Sequence, residues 1–264
     1  MKRALLGILV IFFAAACAGN FQEMRKISGP NYKLAVEKFN AGDMQGALLL
    51  LKQAEDANPK DPEVSYGFAL IYIRMGRLDD ALKYADKTIK NGDKMGYDHP
   101  GMKSEGYNIK GTILYDMKKY DEAIVCFNET LKDDLYPTPE FTYYNLSRAY
   151  LKKGDLDNAE TFLNKSLSRA PEYAPAWELQ GKIYVSRLKI KEAIESFKKA
   201  LSIFPGFIEA QLDLGITYQI DNNIGEAMKC FTKVMQMDEE GPYGRMARKK
   251  LGELGENPLP DINN

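Results

Sequence analysis

The residues best suited to covalent or acid–base chemistry are three cysteines, Cys17, Cys126 and Cys230, and a single histidine, His99. One histidine cannot supply a pair of metal-ligating imidazoles. A Ser-His-Asp triad would have to use His99, which lies in a glycine-rich stretch, and the sequence has neither a Cys-x-x-Cys pair nor a glycine-rich phosphate loop. We therefore expect no catalytic residue, no metal site and no cofactor.

Cys17 lies at the end of an N-terminal targeting sequence. Two basic residues precede an apolar run over residues 4–16, which is too short to span a bilayer and is typical of a signal peptide. The three alanines before Cys17 resemble the bacterial lipobox, which implies cleavage after residue 16 and lipid attachment to Cys17. Ala18 in place of Asp implies, by the same resemblance, an outer-membrane lipoprotein facing the periplasm. An ordinary signal peptide followed by a chance cysteine is the alternative.

Cys126 and Cys230 occupy the same position of a repeated helical pattern, which places them far apart, and we expect both to be free and half-buried. The pattern dominates the chain of 264 residues, 45% of them hydrophobic. With 36 basic and 37 acidic residues the net charge is −1, which indicates no bias toward nucleic acid. Apolar residues recur at helical rather than alternating spacing, so the predicted fold class is all-α.

The stretch from residue 177 to 205 carries the pattern most clearly, as W-x3-G-x2-Y, then A-x3-F-x2-A and a closing Pro. It resembles the tetratricopeptide (TPR) repeat, a hairpin of two helices. Gly181 and Ala193 are small because the two helices approach closely, and a larger side chain there would cost roughly 1–3 kcal/mol. The small residue of the second helix recurs at spacings of 34, 42, 36, 34 and 34 at Ala47, Ala81, Ala123, Ala159, Ala193 and Ala227.

This period predicts six hairpins stacked into a right-handed solenoid. The predicted organisation is a signal peptide (1–16), a lipidated tether (17–30), six repeats (28–61, 62–95, 104–138, 140–173, 174–207 and 208–240), a C-terminal capping helix (241–255) and a disordered tail (256–264). The long step reflects an insertion at 91–104, which is either a binding loop or a tolerated insertion. The basic cluster Arg245, Arg248, Lys249 and Lys250 is either a solvated helix face or a contact for an anionic partner.

In tetratricopeptide folds the first helix of each hairpin lines a groove. The positions that point into it are largely aromatic and apolar in the first four repeats: Tyr32, Val36, Phe39, Tyr66, Leu70, Ile73, Tyr115, Phe141, Tyr144, Arg148 and Leu151. In the last two repeats they are Glu178, Lys182, Val185, Leu212, Ile216 and Gln219. This predicts a site for an extended peptide or amphipathic helix of a protein partner. Alternatively, single aromatics such as Tyr66 and Tyr144 pack against the neighbouring repeat.

The segment Asp134, Leu135, Tyr136, Pro137 follows the third repeat and precedes a first helix that carries Asn145. Together with the third repeat it resembles the pilotin lipoproteins of type IV pili (PilF, PilW and Tgl). This resemblance implies an outer-membrane lipoprotein with six repeats that helps a secretin to multimerise, with no nucleic-acid or small-molecule ligand. Two alternatives remain, namely a general envelope scaffold without a pilus partner and a non-lipidated secreted adaptor or accessory subunit of an enzyme.

Overall fold

A computed structural model describes residues 28–94, 99 and 101–255. Within this part the chain contains helices and no strand, which confirms the all-α prediction. The helices are α1 (28–40), α2 (Met44–Ala57), α3 (Pro62–Arg74), α4 (Leu78–Lys94), α5 (Met102–Asp116), α6 (Tyr120–Thr130), α7 (Pro139–Lys153), α8 (Leu156–Arg169), α9 (Ala174–Ser186), α10 (Ile190–Ile203), α11 (Ile208–Ile220), α12 (Ile224–Met237) and α13 (Pro242–Gly255).

The chain divides into two compact units, which we call the N-terminal unit (up to Pro137) and the C-terminal unit (from Thr138). In each unit consecutive helices pack against one another. First helices also contact each other, α3 with α5 in the N-terminal unit, and α9 with both α7 and α11 in the C-terminal unit. We call the surface that these first helices form within a unit the first-helix face of that unit. The handedness of the predicted solenoid stays a prediction.

Each hairpin turns at one residue with a left-handed backbone, at Gly42, Gly76, Lys118, Gly154, Leu188 and Asn222. These positions repeat at the same spacings as the small alanines, so one turn geometry recurs six times. The three glycines carry the positive φ that is common at the C-terminal end of a helix. In three turns the next residue caps the second helix, as where the Asp43 carboxylate accepts a hydrogen bond of 2.8 Å from the Gly46 amide.

The predicted close approach of paired helices is present at Gly181. A Cβ at this position would lie 2.6 Å from the ring of Phe197, which is fully buried on α10. Gly111 meets Phe127 and Gly215 meets Phe231 in the same way. The ring therefore occupies the space that the absent side chain leaves, and this glycine–phenylalanine contact holds three of the hairpins together.

The prediction of an insertion loop over residues 91–104 is wrong at both of its ends. Residues 91–94 form the last turn of α4 and 102–104 the first turn of α5. Gly92 lies so close to the other helix that a Cβ would stand 2.6 Å from the Lys103 backbone nitrogen. Glycine here permits helices to approach rather than giving a loop its freedom.

The predicted tether also ends earlier than residue 30, because residues 28–30 already belong to α1. Ser28 is buried and donates a hydrogen bond of 3.1 Å to the Asp61 carboxylate. The predicted capping helix is present as α13. The predicted signal peptide, Cys17 and the C-terminal tail lie outside the described residues, among which no helix is long and apolar enough to cross a membrane.

Candidate partner-binding surfaces

The N-terminal unit contains an apolar pocket between α1, α2 and α3. Its volume is about 160 Å³, and its lining is Tyr32, Ala35, Val36, Phe39, Asn40, Leu51, Gly67, Leu70 and Ile71. Four of these residues, Tyr32, Val36, Phe39 and Leu70, are at predicted groove positions. The structure therefore brings together predicted positions from the first two repeats. The sequence analysis missed the other five, because Ala35, Leu51, Gly67 and Ile71 are buried positions and Asn40 is polar.

The wall and the floor of the pocket differ in exposure. Val36 is 39% exposed, whereas Tyr32 and Phe39 are half-buried and pack against the core around Leu51 and Phe68. At the floor, a Cβ on Gly67 would lie 3.0 Å from a Leu51 methyl group. Glycine therefore keeps the floor open, and Val36 presents an apolar side chain to solvent.

One residue of the pocket lining, Tyr32, has a shifted pKa. Burial, with a smaller contribution from the carboxylates of Glu63 and Asp61, raises the pKa of Tyr32 to about 12. The phenol is therefore protonated at neutral pH and remains a hydrogen-bond donor. The pocket thus offers mainly apolar contact.

The remaining predicted positions of the N-terminal unit pack into the core. Tyr66 and Ile73 contact a buried cluster formed by Ala69, Ala81, Ala85, Ile109 and Ile113, as does Leu70 of the pocket lining. Burial is also the main cause of the raised pKa of Tyr66. Tyr115 is half-buried, with its ring 5.4 Å from that of Tyr120. The packing interpretation therefore describes Tyr66 well.

The C-terminal unit places its predicted aromatic positions around Tyr173, which precedes α9. The Tyr173 ring meets the ring of Phe141 at 5.0 Å and that of Tyr144 at 5.2 Å, both edge to face. The Arg148 guanidinium lies 5.6 Å above the Tyr144 ring. Tyr144 and Leu151 pack against the core around Leu163, so only Phe141, 38% exposed, is well exposed to solvent. The sequence analysis missed Tyr173 because it lies outside the first-helix positions.

Charged side chains replace aromatics farther along the same unit. Lys182 pairs with the carboxylate of Glu178 one turn away and with that of Asp213 on α11 at 3.3 Å. Glu178 is buried, and burial raises its pKa from 4.5 to about 7, although Lys182 opposes the change. The first-helix faces of the two units therefore differ in chemistry.

Comparison with known proteins identifies the repeats. Tetratricopeptide repeat models match residues 39–94 and four further segments, 104–132, 142–173, 174–207 and 208–240. The chain belongs to the tetratricopeptide repeat family. A TPR repeat-containing protein of Methanocaldococcus jannaschii is 23% identical over 239 residues, which cover 74% of this chain and 40% of that protein. The chain thus spans about two fifths of the length of that relative.

Solved structures of two pilus proteins resemble this TPR chain over most of its length. PilW, described as a widely conserved type IV pilus biogenesis factor, superposes with a TM-score of 0.74 at 20% identity, covering 84% of this chain and 98% of PilW. PilF of Pseudomonas aeruginosa superposes with a TM-score of 0.70 at 14% identity, covering 86% and 99%. At these identities the likeness establishes the TPR fold shared with the pilus proteins that the sequence analysis named.

The segment 134–137, which carries this resemblance in sequence, contains both exposed and buried residues. Leu135 is 92% exposed, whereas Tyr136 is buried and its hydroxyl accepts a hydrogen bond of 3.3 Å from Asn108. Asp134 and Pro137 are exposed. Tyr136 therefore fixes the segment to α5 of the TPR array, and Leu135 remains free to contact another molecule.

The two cysteines within the described residues are buried and free. Only 7% of Cys126 and 6% of Cys230 is exposed, which is less than the half-burial expected from the sequence. Burial raises the pKa of each thiol to about 11. Both thiols are thus protonated at neutral pH, which suits a packing role in the TPR helices rather than nucleophilic chemistry.

Proposed function

We propose that this TPR protein is a scaffold of type IV pilus biogenesis that binds an apolar segment of a protein partner in the pocket of its N-terminal unit. One observation carries the proposal, namely the structural correspondence with nearly the whole of PilW. The chain matches PilW as a complete array rather than as one shared repeat. The pocket then supplies a surface on which such an array can bind a partner.

The chemistry of the pocket favours an apolar anchor residue. Its lining is almost entirely aliphatic or aromatic, and its volume of about 160 Å³ is enough for a large apolar side chain. Burying such a side chain contributes roughly 1.5–3 kcal/mol. An amphipathic helix or extended peptide that presents one such residue suits this lining.

The finer proposal is a pilotin-like role at the outer membrane. Cys17 would carry lipid and hold the protein at the membrane, and the pocket would bind a secretin before or during its multimerisation. The three alanines before Cys17 and the Leu135–Pro137 segment support this role. In addition, the exposure of Leu135 leaves an apolar residue available to a second part of the partner.

Deletion of the gene, in a host that encodes a type IV pilus secretin, tests the proposal. We expect heat- and detergent-resistant secretin multimers to disappear from isolated outer membranes while secretin monomer persists. Reintroduction of the wild-type gene should restore them. Normal multimers in the deletion strain would contradict the pilotin-like role and favour the alternative of a general envelope scaffold with another partner.

A Cys17→Ser variant tests the membrane anchor separately. Wild-type protein should fractionate with outer membranes and the variant with the soluble periplasmic fraction, because the lipid attachment site is lost. If the variant fractionates as the wild type does, lipidation at Cys17 is wrong, whatever the outcome for secretin multimers.

A further inference from the structure

Three side chains that the sequence separates by up to 38 residues meet beside the start of α3. Asp61 is the N-cap of this helix, Glu63 lies in its first turn, and His99 precedes α5. One potential ligand atom from each residue lies within 4.8 Å of the other two. Nδ1 of His99 lies 3.3 Å from a carboxylate oxygen of Glu63. Two carboxylates and one imidazole thus converge on one point.

The histidine in this cluster is buried without a hydrogen bond. Its residue is only 3% exposed, and neither ring nitrogen has a hydrogen-bond partner within the described part of the chain. An imidazole always carries at least one N–H donor, and a buried polar atom without a partner costs about 1–3 kcal/mol. The Nδ1 atom nevertheless faces the Glu63 carboxylate, so the ring is directed into the cluster.

The Asp61 carboxylate retains capacity for a further partner. One oxygen of Asp61 accepts a hydrogen bond of 3.0 Å from the Glu63 amide, and the other accepts the Ser28 hydroxyl at 3.1 Å. A carboxylate offers about four lone-pair directions, so both oxygens can accept again. Asp61 is buried whereas the Glu63 side chain is 40% exposed, which leaves an approach from solvent.

We propose that Asp61, Glu63 and His99 form a site for a divalent transition-metal ion, with Zn²⁺ the best fit. Zinc accepts imidazole nitrogen and carboxylate oxygen at about 2.0–2.2 Å, which sets neighbouring ligand atoms of a tetrahedral site about 3.3–3.4 Å apart. The His99–Glu63 distance already equals this separation. The other ligand-atom distances lie within 4.8 Å, so metal binding would have to shorten them by at most about 1.5 Å. Water would complete the coordination.

The site would connect His99, which precedes α5, to the rest of the N-terminal unit. Asp61 lies between α2 and α3, and the Ser28 hydroxyl connects Asp61 to α1. Tyr32 and Val36 on α1 line the apolar pocket. A bound ion would thus stabilise the wall of the pocket, a role that stands independently of any pilus partner.

The single histidine of the chain makes the test specific. The full-length, untagged protein is treated with chelator and titrated with Zn²⁺ while the ring nitrogens of His99 are followed by ¹H–¹⁵N NMR. We expect one equivalent to shift the imidazole resonances, to suppress their titration with pH and to raise the midpoint of thermal unfolding. Zinc that binds without moving these resonances, or no stoichiometric binding at all, overturns the proposal.

Variants separate metal binding from folding. Asp61→Asn keeps a good helix cap but removes one charged ligand, so Zn²⁺ affinity should fall at least about tenfold while the metal-free protein retains its helical circular dichroism. His99→Asn should abolish stoichiometric binding. Asp79→Asn, an exposed change in the first turn of α4, is the matched control and should leave affinity unchanged. Equal affinities in all three variants would place the ion elsewhere and overturn the assignment.

Discussion

The two units use the same helical hairpin to present different surfaces. In the N-terminal unit α1, α2 and α3 surround an apolar pocket with Val36 exposed at its edge. In the C-terminal unit Phe141 and Tyr144 close on Tyr173, and Glu178, Lys182 and Asp213 form a charged cluster beyond them. The repeat pattern specifies the hairpin. The residues between the fixed positions of the pattern determine whether a face is open to a ligand or covered by contacts within the protein.

A charge in the pocket should have the largest effect. Val36→Asp would place a carboxylate where the partner's apolar residue inserts, and we expect affinity for a secretin segment to fall by at least about 100-fold. The free protein should melt almost normally because position 36 is 39% exposed. Leu49→Asp, on the exposed side of α2 and outside the pocket lining, is the matched control. Equal binding by both variants would remove the pocket from the account.

Replacing a glycine by alanine should cost more stability at the crossing of α9 and α10 than at the floor of the pocket. In the C-terminal unit, Gly181→Ala would drive a methyl group into the buried ring of Phe197, and we expect the free energy of unfolding to fall by about 1–3 kcal/mol. In the N-terminal unit, the Cβ of Gly67→Ala would lie 3.0 Å from a Leu51 methyl group and 3.2 Å from a Tyr32 ring carbon, and better helix propensity offsets these contacts to within about 1 kcal/mol. Urea denaturation of both variants measures the difference. The reverse order would contradict the packing described for α9 and α10.

The charged cluster should make stability depend on pH. Because burial raises the pKa of Glu178 from 4.5 to about 7, the folded protein binds more protons than the unfolded chain between these values. The Glu178 carboxyl group therefore contributes to stability below pH 4.5, and this contribution is lost as the pH rises toward 7. Glu178→Gln should remove roughly 1–2 kcal/mol of this decline, measured by denaturation at several pH values. Glu195→Gln, whose side chain is exposed, should leave the decline unchanged.

The smallest expected effect concerns the hairpin turns. The N-terminal unit has glycine at two of its three left-handed positions, while the C-terminal unit has Leu188 at φ 57°. A non-glycine residue in this conformation costs roughly 1–2 kcal/mol. Replacing it by glycine removes this cost but also raises the entropy of the unfolded chain, which offsets part of the gain. We expect Leu188→Gly to stabilise the protein by about 0.5 kcal/mol and Gly76→Ala to destabilise it by about 1 kcal/mol. A destabilised Leu188→Gly variant would contradict the turn assignment.

The sequence was sufficient for the features that repeat. The spacing of Ala47 and its equivalents predicts the helical hairpins, and Gly181 with Ala193 predicts the close crossing, because both follow from helical periodicity and side-chain volume. The boundaries of the insertion could not be predicted in this way. The glycine-rich stretch 91–104 suggested a loop, yet Gly92 within it serves the close contact of α4 with the start of α5.

The candidate sites depend on contacts that periodicity does not encode. Four of the predicted groove positions line the pocket, but its floor is formed by Gly67 and Leu51, which the pattern assigns to packing. Tyr173 engages Phe141 and Tyr144 from outside the first-helix positions. His99 meets Asp61 across 38 residues of chain, a distance over which no local pattern connects them.

Site-specific photocrosslinking tests the central claim most directly, because it asks which unit touches the partner in living cells. A photoreactive phenylalanine analogue is placed at Phe39, which lines the pocket, and in a second strain at Phe141, the exposed aromatic of the C-terminal unit. The account predicts a crosslink to the pilus secretin from position 39 and several-fold less from position 141. A secretin crosslink from position 141 alone, or equal crosslinks from both positions, would contradict it.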